Sequence, residues 1–76
     1  MQPYKGYFIE GAAKMIHPHD PWHYPAGTVF KSGRAGSMIE VARLAFPSFV
    51  VDIRDLAECF GLELCRVAVD ECLIPA

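Results

Sequence analysis

The sequence predicts an α+β domain, a three-stranded antiparallel β-sheet packed against one long C-terminal α-helix in the order β-β-β-α. Three observations carry that prediction. Up to residue 46 the apolar residues come in short β-like runs, from Asp52 onward they recur with the period of a helix, and a glycine-rich turn separates two of the β-like runs. With 76 residues, 53% hydrophobic and 21% charged, the chain makes a single domain, residues 1–76. A chain of this size buries only about 60% of the surface it exposes when unfolded, so a large enzyme cleft would compete with the core for the same side chains. A binding or structural role is therefore expected ahead of an enzymatic one.

The first strand is expected at about residues 4–15, where Tyr7, Ile9, Ala13 and Met15 share one parity and Gly6 and Gly11 weaken the run or mark a bulge. Residues 17–25 hold three of the six prolines and all three histidines, and so form a loop. Strands follow at about 27–32 and 37–46, joined by Ser32-Gly33-Arg34-Ala35-Gly36 as an antiparallel hairpin. In the later strand Ile39 and Val41 flank Glu40, and then Leu44 and Phe46 take over the other parity. A bulge, or a sheet touched on both faces, accounts for that switch. Pro47 ends the strand.

The helix is expected at about residues 52–73. Ile53, Leu56, Ala57, Phe60, Leu64, Val67 and Ala68 follow the i, i+3, i+4, i+7 spacing of one helical face, which is the predicted core contact. Asp52 suits the N-cap, Val51 and Leu56 suit a hydrophobic staple, Asp55 places a negative charge in the first turn, and Pro75 supplies the stop. Gly61 costs about 1 kcal/mol relative to alanine in mid-helix. It also defines a rival reading, a helix-turn-helix with Ala57, Gly61 and Val67 at its small, turn and buried positions. That recognition helix would expose Glu63, Asp70 and Glu71 with only Arg66 positive, a poor set for reading base edges. A continuous helix whose Gly61 admits a bulky sheet residue is the better reading.

Charge sharpens the function classes. Residues 1–51 carry Lys5, Lys14, Lys31, Arg34 and Arg43 against Glu10, Asp20 and Glu40, a balance of +2, while residues 52–76 carry six acids against Arg54 and Arg66, a balance of −4. An acidic helix is a poor contact for phosphates. Nucleic acid is still a possible partner through a sheet that displays Tyr4, Tyr7, Phe8 and Phe30 with Lys31, Arg34 and Arg43. Gly33-Arg34-Ala35-Gly36 spells a G-x-x-G, but it joins strands rather than helices and reads as a hairpin turn. There is no P-loop and no G-x-G-x-x-G, and no cofactor is implied.

His17, His19 and His23, with Asp20, are the candidate metal ligands, because imidazoles and a carboxylate suit Zn²⁺ or Cu²⁺. The prolines between them enforce extended geometry, and no later histidine closes a tetrahedral set. Cys59, Cys65 and Cys72 fit no C-x-x-C and are odd in number, so three free thiols in a reducing cytoplasm are expected. Asp52, Asp55 and Glu58 lie close on the first helical turns, where capping and a solvated acidic face explain them without catalysis. The longest apolar runs are far shorter than the roughly 20 residues that span a bilayer, and the charged N-terminal stretch is no signal peptide, so a cytoplasmic protein is expected.

A second apolar row on the helix, Leu62, Val69 and Leu73 at i, i+7 and i+11, falls opposite the predicted core face. Three large aliphatics on a face expected to be wet predict a protein partner or a homodimer. The opening Tyr4-Lys5-Gly6-Tyr7-x-Ile9, the central hairpin and the closing Phe60-Gly61-Leu62-Glu63-Leu64-Cys65-Arg66-x-x-x-Asp70 together resemble small stand-alone proteobacterial domains of β-β-β-α order that have no assigned function. The resemblance implies a compact sheet covered by one C-terminal helix and brings no catalytic residues with it. The expected function is that of a non-enzymatic protein-interaction module, with nucleic-acid binding or metal binding as alternatives.

Overall fold

In the computed structural model, which describes residues 1–74, four strands form one antiparallel sheet in sequence order. They are β1 (Gln2–Tyr4), β2 (Tyr7–Met15), β3 (His23–Ser32) and β4 (Met38–Ala45), and a single helix, α1 (Arg54–Asp70), follows. The α+β class with one C-terminal helix holds, but the sheet has four strands rather than three. The extra strand comes from Lys5 and Gly6, whose φ values of +47° and +88° make a two-residue hairpin between Tyr4 and Tyr7. Positive φ at both central positions matches the twist of flanking strands, and glycine accommodates the second of them without strain. Gly6 thus ends one strand instead of weakening the middle of a longer one.

β3 begins four residues earlier than the expected strand at 27, and His23, Tyr24 and Pro25 belong to it rather than to the loop. Pro25 is buried in a central strand yet breaks no ladder bond. Its carbonyl accepts the Phe46 amide at 3.0 Å, so its nitrogen faces the side of β4, just past the last residue of that strand. The chain then returns, and His23 and Val51 exchange amide-to-carbonyl bonds of 2.7 and 2.9 Å. The expected irregularity in β4 is present: Ala42 pairs with Val29 and Glu40 with Phe30, leaving Val41 as the extra residue. The β3–β4 connection holds a 3-10 turn, Arg34–Gly36, with Ala35 and Gly36 at φ +56° and +76°.

α1 is continuous through Gly61, so the helix-turn-helix reading is not the structure of this chain. The helix is shorter than the expected 52–73 at both ends. Ile53, not Asp52, occupies the N-cap and offers no side-chain acceptor, while Val51 is used by the bridge to His23. At the C-terminus Cys72 turns left-handed at φ +56°, with Cys72 N–H bonding Val69 O and Leu73 N–H bonding Ala68 O. That is a Schellman stop, and it ends the helix before the expected one; Pro75 lies outside the described residues.

The approach of helix to sheet is set by three glycines. Gly11 and Gly27 face each other across β2 and β3 on the side toward α1, and Gly61 sits over them. A Cβ on Gly61 would fall 1.9 Å from the carbonyl oxygen of Ala26, and one on Gly11 would fall 2.3 Å from that of Glu58. Gly61 therefore admits the sheet backbone itself and not, as the sequence suggested, a bulky side chain. The buried line of α1 is accordingly the small-residue row Ala57, Gly61, Cys65 and Ala68, packed over Ile9 and Val29.

Candidate interaction surface

The helix turns on its axis relative to the sequence expectation, because the row of smallest side chains wins the closest contact. Of the predicted core row, only Ala57 and Ala68 are buried. Ile53, Leu56, Phe60 and Val67 are 58%, 40%, 38% and 46% exposed, respectively. α1 lies mainly over β2 and β3 and less over β4, and this flank faces Pro25 of β3 and Phe46 just after β4. Leu62 and Val69, expected on the wet face, are half-buried and pack against the Ile9, Val29 and Cys65 core. Leu73 stands past the helix end and is exposed. The wet apolar face is thus on the other flank of the helix from the one the sequence indicated for Leu62 and Val69.

The chain after β4 completes this flank. Phe46 and Phe49 stack at 6.3 Å between ring centroids with planes 15° apart, and Phe49 meets the edge of Phe60 at 4.9 Å. Pro47 and the turn that follows hold these rings against the open side of the helix; Phe49 N–H donates to Phe46 O at 3.2 Å. Between them runs a groove of about 280 Å³ lined by Pro25, Phe46, Phe49, Phe60, Leu64 and Val67, with Glu63 at its rim. Arg66 pairs with Glu63 at 3.1 Å. The walls offer apolar surface and aromatic faces, with Glu63 as the one carboxylate among the lining residues. Such a groove can hold apolar side chains of a partner.

The other predicted sites disperse. His17 and His19 are exposed in the loop between β2 and β3, while His23 lies in β3 with its Nδ1 2.7 Å from the Pro21 carbonyl oxygen. Among the described residues no three His, Cys, Asp or Glu side chains gather as a metal site. All three cysteines are free; Cys59 and Cys72 are exposed, and Cys65 is buried. Burial pushes the Cys65 thiol up, and its Sγ reaches the Glu10 and Thr28 carbonyls at 3.7 Å.

Of the residues proposed to stack bases, strand register puts Phe8, Phe30 and Arg43 on the sheet face away from α1, where Phe8 and Phe30 are direct cross-strand partners. Tyr4 and Tyr7 instead pack toward the core. Glu10 and Glu40 share the open face with Arg43. The aromatic residues are therefore divided between two faces, and the open face carries the acids Glu10 and Glu40 beside the cations Lys14 and Arg43.

One polar cluster ties the first hairpin to the helix end. Tyr4 Oη donates to both carboxylate oxygens of Asp70 at 2.9 and 2.8 Å, and Lys5 Nζ donates to Oδ1 at 2.5 Å. The hydrogen bonds from Lys5 and then Tyr4 hold Asp70 below the usual carboxylate range, and the bond to Asp70 raises both Tyr4 and Lys5. Asp70 stands in the last turn of α1, where a negative charge opposes the helix dipole, and Lys5 offsets it. The cluster is exposed and fastens β1 to the helix.

No helix among the described residues is long and apolar enough to cross a membrane. In comparisons with known proteins, no family model, no curated protein and no solved structure matches this chain.

Proposed function

We propose that this chain is a non-enzymatic protein-interaction domain of the cytoplasm that docks through the groove between α1 and the Phe46–Phe49 turn. The observation that supports this reading is the set of exposed large apolar residues there: Phe46, Phe49, Phe60 and Val67 line the groove, Ile53 and Leu56 continue the same helical row, and each is 38–58% exposed. Single exposed apolar residues are ordinary, but a contiguous set of this size on so small a domain marks a contact surface. A partner contributing aliphatic or aromatic side chains would complete the packing that the sheet gives the other flank of the helix.

A photo-crosslinking residue placed at Val67 tests the reading inside cells. A discrete crosslinked protein species is expected from Val67 and none from a probe at Lys14, which lies on the open sheet face. No species from Val67 would overturn the assignment.

A further inference from the structure

We propose that the occupant of this groove is a second copy of the same chain, joined across β4 so that two sheets become one of eight strands. The proposal rests on reading the groove as a docking face and names its partner. Its basis is that three features meet at the same edge.

The first is the edge itself. The sheet order leaves β1 and β4 as the two outer strands. β1 has three residues and includes Pro3, which blunts it, whereas β4 has eight residues without proline or glycine. Its outward amides and carbonyls are a template for another strand.

The second is charge complementarity. The bulge at Val41 places Glu40 and Arg43 on one face, since Glu40 pairs with Phe30 and Arg43 with Thr28, two residues apart on β3. Within one copy they form an i, i+3 pair at 2.9 Å. A two-fold axis between Val41 and Ala42 would set β4 antiparallel to its copy and oppose Glu40 to Arg43 of the second copy, twice. The same register opposes Ile39 to Leu44 of the second copy, and these two residues share the face toward α1 because they pair with Lys31 and Gly27. Met38 then meets Ala45 of the second copy on the open face. A shift by one residue would bring residues of opposite faces together. Charged residues and bulges commonly keep an edge unpaired, but here the bulge makes the charge pattern self-complementary.

The third is area. The same axis turns the apolar flank of each helix toward that of the other, above the joined β4 strands. The six side chains of this flank, Phe46, Phe49, Ile53, Leu56, Phe60 and Val67, are about two-fifths exposed or more and offer roughly 400–600 Å² per copy before the strand edge is added. That approaches the ~800 Å² a stable interface takes from each partner.

Sedimentation in reducing buffer, from micromolar to millimolar protein, is the test, applied to wild type, Glu40→Arg, Arg43→Glu, an equimolar mixture of those two variants, and Phe60→Lys. Wild type is expected to reach twice its 8.4 kDa mass. Each charge variant alone is expected to dimerise about tenfold more weakly because like charges face each other, Phe60→Lys to stay monomeric, and the mixture to regain the wild-type association. Recovery in the mixture requires a contact between copies, since neither variant can restore its own internal pair. A wild-type monomer throughout overturns the proposal, and so does a dimer indifferent to both charge changes. A wild-type monomer whose Val67 probe still crosslinks to a different protein in cells would end the second-copy inference while leaving the docking face in place; absence of any crosslink would end both.

Discussion

Gly61 decides where the helix can lie. Alanine is ordinarily the better helix residue by about 1 kcal/mol. Here its methyl would meet the Ala26 carbonyl oxygen at 1.9 Å and the Ala12 carbonyl oxygen at 3.1 Å, both backbone atoms that cannot swing aside. Gly61→Ala is therefore expected to lower stability by about 3 kcal/mol, the upper end of ordinary overpacking, read as a fall in the urea midpoint at unchanged slope. Stability equal to or above wild type would mean that the helix does not ride on the sheet backbone. The glycine was legible in the sequence as a question, a residue that either breaks the helix or admits something close. The answer depended on Gly11 and Gly27 being cross-strand partners, a long-range pairing that local spacing does not contain.

At the scale of elements, the hairpin β1–β2 and the end of α1 are joined through Tyr4, Lys5 and Asp70. Asp70 has a lower pKa when folded than when unfolded, so its contribution is present above the ordinary carboxylate range and is lost as pH falls through the folded value. Lys5 and Tyr4 are raised, so their contributions hold below about pH 10, near their ordinary values, and fade as pH rises through the folded values. Acidification is thus expected to loosen β1 ahead of the rest of the sheet. Amide exchange of β1 measured between pH 6 and 3 (about the span around a carboxylate's ordinary pKa) should show this opening in wild type, and should show less change in Asp70→Asn. An identical pH response in the two proteins would contradict the role given to the cluster.

The second half of β3 from residue 27, strand β4, its irregularity and the existence of one terminal helix were readable from period and turn chemistry, whereas His23 to Pro25 were hidden in the proline- and histidine-rich stretch. The first hairpin was not, because Lys5 takes a positive φ that its side chain does not advertise, and only Gly6 beside it gives a hint. The helix face was misassigned for a related reason. Hydrophobic periodicity ranks residues by size and apolarity, which favoured Ile53, Leu56, Phe60 and Val67, whereas glycines in the sheet reward the smallest row. The spacing Ala57, Gly61, Cys65, every fourth residue, was the available signal for that alternative. Leu62 and Val69, expected to form the wet apolar row with Leu73, instead pack half-buried against the core, and the exposed apolar residues of α1 lie on its other flank.

For the molecule as a whole, a narrow helix drawn tightly onto β2 and β3 leaves β4 only partly covered on the same side, with Val41, Ala42 and Leu44 half-buried, and an aromatic flank beside it. One short helix cannot cover four strands. The proposed second copy, related by a two-fold axis, would extend the sheet at that edge and cover the apolar wall without any new element. An edge strand without an apolar wall would be a weak template, and a wall without an edge would fix no register.

Hydrogen exchange along β4, followed at high and low protein concentration, reaches this most directly. The β4 amides that point away from β3 are expected to exchange slowly when concentrated and to speed up on dilution, in step with the amides around Phe60 and Val67 on α1 where burial changes. Outward β4 amides that exchange at the rate of a free edge, whatever the concentration, would contradict pairing across this strand.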